Sequence, residues 1–176
     1  GRPLQQFVSE RQQIIDPADA YLLHYGLQQV MRQGTGSVAY QRLPSTMVLA
    51  GKTGTTNDMR DSWFAGSAGR TLAVVWLGRD DNKPIGLSGG TGALPVWVDF
   101  MQQLQPAATM PELPDGVTWP WIDVATGRLS AESCSGAIRI PVSAKAMPSE
   151  QTPCASGGVP AFIDSMVDGV LNLFRR

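Results

Sequence analysis

Seven of the thirteen prolines in this 176-residue chain fall between Pro106 and Pro153, and no long helix can cross that stretch. Each proline removes a backbone donor and collides with the turn before it, so the segment is left with extended runs and turns. Short strands are expected over 118–124 and 137–142. The chain therefore divides into a regular block over 1–104, a proline-rich block over 105–158 and a tail over 159–176. In the tail, Ile163, Met166, Val167, Val170 and Phe174 share one side of a helical pattern, opposite Asp164, Asp168 and Asn172. Such a stripe predicts an amphipathic helix, which docks on its own domain in the bland reading and meets a partner or a membrane surface in the other.

The first block opens with a helix signal. Asp16 is the expected N-cap, Pro17 takes the first helical position, Asp19 lies in the first turn, and Leu23, Leu27, Val30 and Met31 form an apolar stripe that Gly34 ends. An irregular connection through Thr35-Gly36-Ser37 and Pro44 follows. Residues 47–50 then read as the start of a buried strand running into Lys52-Thr53-Gly54, which Asn57-Asp58 breaks. Two aromatic or β-branched runs, 62–66 and 71–78, flank Ala68-Gly69-Arg70 as a hairpin would. Ser88-Gly89-Gly90-Thr91-Gly92 leads into a second helix, with Thr91 as N-cap, Pro95 in its first turn and a stripe of Ala93, Trp97, Phe100, Met101 and Leu104. Helix, three antiparallel strands and helix make an α+β arrangement.

Charge excludes several functions. Charged residues are 16% of the chain and the net charge is -1, so no basic surface recruits nucleic acid or an anionic membrane. No apolar run reaches the roughly 20 residues of a membrane span, and the N-terminus carries no signal-peptide pattern, so any export or anchoring information is expected outside this chain. The one histidine, His24, sits on the first helix with no metal-ligand partner, and neither cysteine has metal spacing; no cofactor or metal is called for. Asp80 and Asp81, before Asn82 and Pro84, read as solvated turn residues rather than an acid/base pair.

The chemistry concentrates at Lys52-Thr53-Gly54-Thr55-Thr56. A lysine ammonium beside hydroxyls on a strand can hold an anion and activate a neighbouring serine, and Gly54 admits a substrate backbone. Period-two geometry sets Thr53 and Thr55 on one face, with Lys52 and Gly54 on the other. As a bare triplet, Lys-Thr-Gly equally describes an ordinary exposed strand end. Gly51-Lys52-Thr53 also matches the end of a phosphate-binding loop, but that loop needs glycine where Thr46 stands and a helix after Thr53. Neither is present in the sequence pattern.

The flanking residues separate these readings. Ala50-Gly51-Lys52-Thr53-Gly54-Thr55-Thr56-Asn57-Asp58, preceded by Gln33-Gly34-Thr35-Gly36 and followed by Asp61-Ser62-Trp63-Phe64-Ala65-Gly66, resembles the C-terminal half of the transpeptidase domain of class A penicillin-binding proteins. The resemblance continues through Val75-Trp76-Leu77-Gly78-Arg79-Asp80 and the glycine-rich 88–92, covering roughly 16–104, and over 21–36 it is most similar to the 1B type. It implies the serine β-lactamase and penicillin-recognising fold, a five-stranded antiparallel sheet flanked by helices, of which this chain would carry the last three strands. By that resemblance Lys52 assists proton traffic and attracts the substrate carboxylate, and Thr53 and Thr55 hydrogen-bond the carboxylate of a D-alanyl-D-alanine stem peptide or a β-lactam. The Thr55 N–H would join the oxyanion hole, and Gly54 would let the strand pair with extended substrate. Asp61, Trp63 and Phe64 read as turn and core residues.

One part of the family pattern is missing. No serine has lysine three residues later and none begins Ser-x-Asn; the nearest approach is Ser143-Ala144-Lys145. The acylating serine, its lysine base and the Ser-x-Asn motif are therefore expected upstream in a parent polypeptide, together with a glycosyltransferase domain and a membrane anchor. The isolated chain is expected to be inert. A non-catalytic cell-wall peptide sensor of the same fold is the alternative, favoured if the upstream serine is replaced; a β-lactamase shares Lys-Thr-Gly but gives no reason for a block after Leu104. Cys134 and Cys154 lie in that block. The family's location at the periplasmic face of the inner membrane implies that they pair, where buried free thiols are the bland reading. Trp119 and Trp121 have the shape to stack on sugar, but as isolated aromatics in a proline-rich strand they read as core residues.

Overall fold

The computed structural model describes residues 12–152 and Cys154. The amphipathic helix expected over 159–176 lies outside the described residues. Helix α1 spans Pro17–Gln33, with Asp16 as N-cap: its side chain accepts from the Ala18 N–H at 2.8 Å. Gly34 and Gly36 then both donate to the Val30 carbonyl, folding the chain tightly over the last turn of the helix. A side chain at Gly36 would strike the Met31 sulfur, so the turn needs a bare backbone there.

Three strands follow: β1, Leu49–Thr55; β2, Ser62–Ala68; and β3, Thr71–Leu77. They form an antiparallel sheet in the order β1-β2-β3, with Thr53 opposite Phe64 and Phe64 opposite Val75. Gly69, at φ 57°, and Arg70 make the β2–β3 turn. Helix α2, Ala93–Leu104, lies on the face carrying Phe64 and Ala68. Trp97 meets Phe64 edge-on at 5.0 Å between centroids and donates to the Gly66 carbonyl. Met31, Leu43, Leu49, Leu94, Val98 and Met101 complete this core.

Two apolar stripes differ from expectation. Leu23 is half exposed, and the buried residues of α1 are Ala18, Val30 and Met31. In α2, Phe100 and Leu104 face solvent, and the buried stripe is Ala93, Leu94, Trp97, Val98 and Met101. Thr91 is not the α2 N-cap. Gly92 takes that position without a capping side chain, while the Thr91 hydroxyl turns back to Ser88.

The proline-rich block forms two-residue and three-residue strands: β4, Val117–Thr118; β5, Trp121–Asp123; β6, Ala137–Arg139; and β7, Val142–Ser143. β5 pairs with β6 and β4 with β7. Each of the two continuous strands expected from sequence is thus split in two, near Pro120 and Pro141, which lie one residue out of register on opposite sides of one ribbon and cannot donate to it. A Cys134–Cys154 disulfide closes the block, with Cα atoms 4.7 Å apart. Tyr25 of α1 meets Trp119 edge-on at 5.3 Å, and Lys145 Nζ lies 3.1 Å from Asp16, so the block rests on the first helix.

Candidate functional site

Among the described residues β1 is an edge of the sheet, and its C-terminal half carries Lys52, Thr53, Gly54 and Thr55. Burial falls along the strand: Leu49, Ala50 and Gly51 are buried, Lys52 to Gly54 are partly exposed and Thr55 is exposed. The strand therefore leaves the core just where its polar residues begin. Lys52 Nζ lies 2.9 Å from the Thr53 carbonyl, to which it donates, so its ammonium has curled round the strand. Thr53 and Thr55 share the face that Phe64 and Ser62 occupy on β2.

A loop presses onto that face. A Cβ built on Gly89 would come within 2.5 Å of the Trp63 carbonyl oxygen, and within 2.6 and 2.9 Å of the Gly54 oxygen and nitrogen. Only glycine fits between these backbones. Gly89 N–H donates to the Thr55 hydroxyl at 2.9 Å. Ser62, fully buried beneath, holds both ends of the loop: its hydroxyl donates to the Ser88 carbonyl at 2.7 Å and accepts from the Ala93 N–H at 2.9 Å. On the same face, the Thr35 hydroxyl lies 3.2 Å from that of Thr53. Two segments distant in sequence thus converge on two neighbouring threonines.

The strand's end is fastened separately. Thr56 and Asp61 exchange backbone and side-chain hydrogen bonds, and Trp76 Nε1 of β3 donates to Asp61 Oδ1 at 2.9 Å. Asp61 is thus a turn residue and Phe64 a core residue, as the sequence indicates. Trp63 departs from its core reading: it is 42% exposed on the opposite sheet face, 6.0 Å from Trp76.

Sequence reasoning grouped Lys52, Thr53, Gly54 and Thr55, and the strand holds them together. It passed over Ser62 and Gly89 as builders of the site. The signal for Gly89 was a Gly-Gly pair ahead of a helix, which marks a close backbone approach as readily as a helix lead-in. His24 lies elsewhere. Its ring contacts Gln28 and reaches towards Ser67, and burial lowers its pKa, keeping it a neutral packing residue. Asp81 is held by Arg79 and Lys83, and the Arg79 guanidinium depresses its pKa to about 2, as suits a turn carboxylate rather than an acid catalyst. Among the described residues no cluster of three or more His, Cys, Asp or Glu could hold a metal.

This pattern on this fold has relatives. Penicillin-binding protein 1B of Vibrio cholerae serotype O1 is 37% identical over 143 residues, covering 81% of this chain. This segment belongs to the class A penicillin-binding protein family. Penicillin-binding protein 1A of Pseudomonas aeruginosa is 41% identical over 133 residues, or 72% of this chain, so relatives of both types align with it. The chain spans 18% and 16% of the length of these two relatives. A crystal structure of penicillin-binding protein 1A from Haemophilus influenzae superposes with a TM-score of 0.70 at 26% identity, covering 80% of this chain and 22% of that one. The α+β fold is accordingly a portion of the penicillin-binding transpeptidase fold. No protein-family model matches the chain.

Proposed function

We propose that this chain supplies one wall of a peptidoglycan D,D-transpeptidase site, the other wall coming from upstream residues of a longer polypeptide. The observation that carries the reading is an ammonium and two hydroxyls on the emerging end of an edge strand, within a segment of penicillin-binding proteins. On this reading Thr53 and Thr55 bind the terminal carboxylate of a D-alanyl-D-alanine stem peptide or a β-lactam, and Lys52 adds electrostatic attraction and assists proton transfer. Gly54 leaves the strand open for an extended peptide, and the Thr55 N–H stabilises the oxyanion. The upstream serine attacks the penultimate D-alanine carbonyl; the tetrahedral oxyanion collapses, and D-alanine leaves with the proton that the serine gave up. An amine then takes the acyl group and restores the serine.

The parent is read as a membrane-anchored enzyme on the periplasmic face of the bacterial inner membrane, with a glycosyltransferase domain. Among the described residues, no helix is long and apolar enough to cross a membrane. The chain itself contains no Ser-x-x-Lys and no Ser-x-Asn. Labelled penicillin should therefore leave the isolated chain unlabelled and acylate the longer polypeptide. In the latter, Lys52→Ala should slow acylation by roughly 100-fold or more, as expected on removing a group that assists proton transfer. Stable covalent labelling of the isolated chain would refute the divided site.

A further inference from the structure

Both threonines of the site have a second polar group against them, and the two arrangements have the same consequence. A hydroxyl has one proton to donate and lone pairs with which to accept. At Thr55 the oxygen accepts the Gly89 N–H at 2.9 Å, so that donor is already spent on the threonine and the threonine's own proton can point outward. At Thr53 the neighbour is the Thr35 hydroxyl at 3.2 Å, where either oxygen can act as donor. A bound carboxylate removes the ambiguity. It only accepts, so Thr53 must give its proton to the anion, and the bond between the threonines can then run only from Thr35 to Thr53.

We propose that Thr35 is a positioning residue that donates to Thr53 and thereby fixes the Thr53 hydroxyl as a donor to the substrate carboxylate, as the Gly89 amide does for Thr55. The inference rests on the carboxylate-binding role given to Thr53 above. Thr35 is well held for this task. The turn on either side of it is anchored by the Gly34 and Gly36 N–H groups, both donating to the Val30 carbonyl at 3.0 and 3.2 Å. Gly36 sits against Met31, whose side chain is fully buried in the core. The opposite rim is the glycine loop, where a Cβ on Gly90 would lie 3.9 Å from the Thr35 carbonyl oxygen. Donation from Thr35 also polarises the Thr53 O–H, since hydrogen bonds in a chain strengthen one another. Thr35 thus acts on the substrate through Thr53, in the ground state as well as during acylation.

The test uses the longer polypeptide with its nucleophilic serine, and reads the concentration dependence of acylation by a penicillin and by the same penicillin with its carboxylate esterified. Thr35→Val keeps the shape and removes the donor. It should weaken penicillin binding about fivefold, the worth of one neutral hydrogen bond, with the saturating acylation rate unchanged. Thr35→Ser should restore binding, the ester should be insensitive to the valine change, and Thr35→Val should add no further loss in a Thr53→Val background. A loss that persists with the ester or in the Thr53→Val background, or no loss at all while Thr53→Val weakens binding, overturns the role of Thr35 and leaves the carboxylate site standing. If Thr53→Val itself binds penicillin normally, the carboxylate site falls and the role of Thr35 with it. Thermal melting of each variant separates these outcomes from misfolding.

Discussion

Ser62 carries more of this architecture than its place in the sequence indicates. Its hydroxyl is fully buried and joins the Ser88 carbonyl to the first N–H of α2, so one side chain closes the glycine loop and satisfies a helix end that has no cap of its own. Replacing it with alanine strands the Ala93 N–H in the interior, while the Ser88 carbonyl keeps the Gly92 N–H as donor. Ser62→Ala should therefore destabilise the fold by about 1–3 kcal/mol, read as a lower urea midpoint at an unchanged slope. A midpoint equal to that of the parent would mean that water replaces both bonds. The partners of Ser62 lie 26 and 31 residues away, which is why no local pattern announces it. Lys52, Thr53 and Thr55 were legible for the opposite reason. They lie within four adjacent positions, and their chemistry is written in the residue types themselves.

Elements set by local signals are the ones the sequence conveys best. α1 begins at Pro17 after an aspartate cap and ends before Gly34, as the cap, the proline and the glycine require. The proline-rich ribbon shows where such signals run out, since Pro120 and Pro141 interrupt strands whose pairing partners no window of sequence reveals. The two regions meet at Asp16. Its carboxylate accepts from the Ala18 N–H and pairs with Lys145, and these, the backbone bond first, hold its pKa below 3.8. The Lys145 pKa is raised above 10.5, chiefly by its bond to Asp16. The signs are opposite: the Asp16 contribution is complete above pH 3.8 and fades as pH falls through its depressed folded value, whereas the Lys145 contribution is complete below pH 10.5 and fades as pH rises through its raised value. In native protein the Asp16 carboxyl followed by NMR should titrate below 3.8. In Lys145→Met the midpoint should rise yet remain below 3.8, because the Ala18 bond persists. A return to 3.8 in that variant would assign the whole shift to the ion pair and none to the cap.

At the scale of the whole molecule, the described residues cover the sheet on one face only. The core face buries Phe64 and Ala68 under α2, while the opposite face presents Leu72 at 72% exposure, Val74 at 58%, Trp76 at 46% and Trp63 at 42%. These four lie in register on adjacent strands and form a continuous apolar patch. β3 adds a second edge, because it pairs with β2 alone among the described residues. Soluble domains rarely leave a patch and an open edge side by side, since together they template association. In sequence β3 is a continuous aromatic or β-branched run, Thr71 to Leu77, which does not say which of its two faces is covered. On the proposal that this chain is one wall of a longer polypeptide's site, the upstream part of that polypeptide is the economical source of cover; the chain spans 18% of the length of one relative. The isolated chain should therefore bind a hydrophobic dye and self-associate as its concentration rises, while Val74→Lys, which places a charge at the centre of the patch, should reduce both without lowering the melting temperature. The longer polypeptide should show neither behaviour and should lose stability on the same substitution, since there the lysine would be buried without a partner. If Val74→Lys is harmless in the longer polypeptide, this face is a solvent face in the intact protein as well, and its aromatic pair serves the sheet alone.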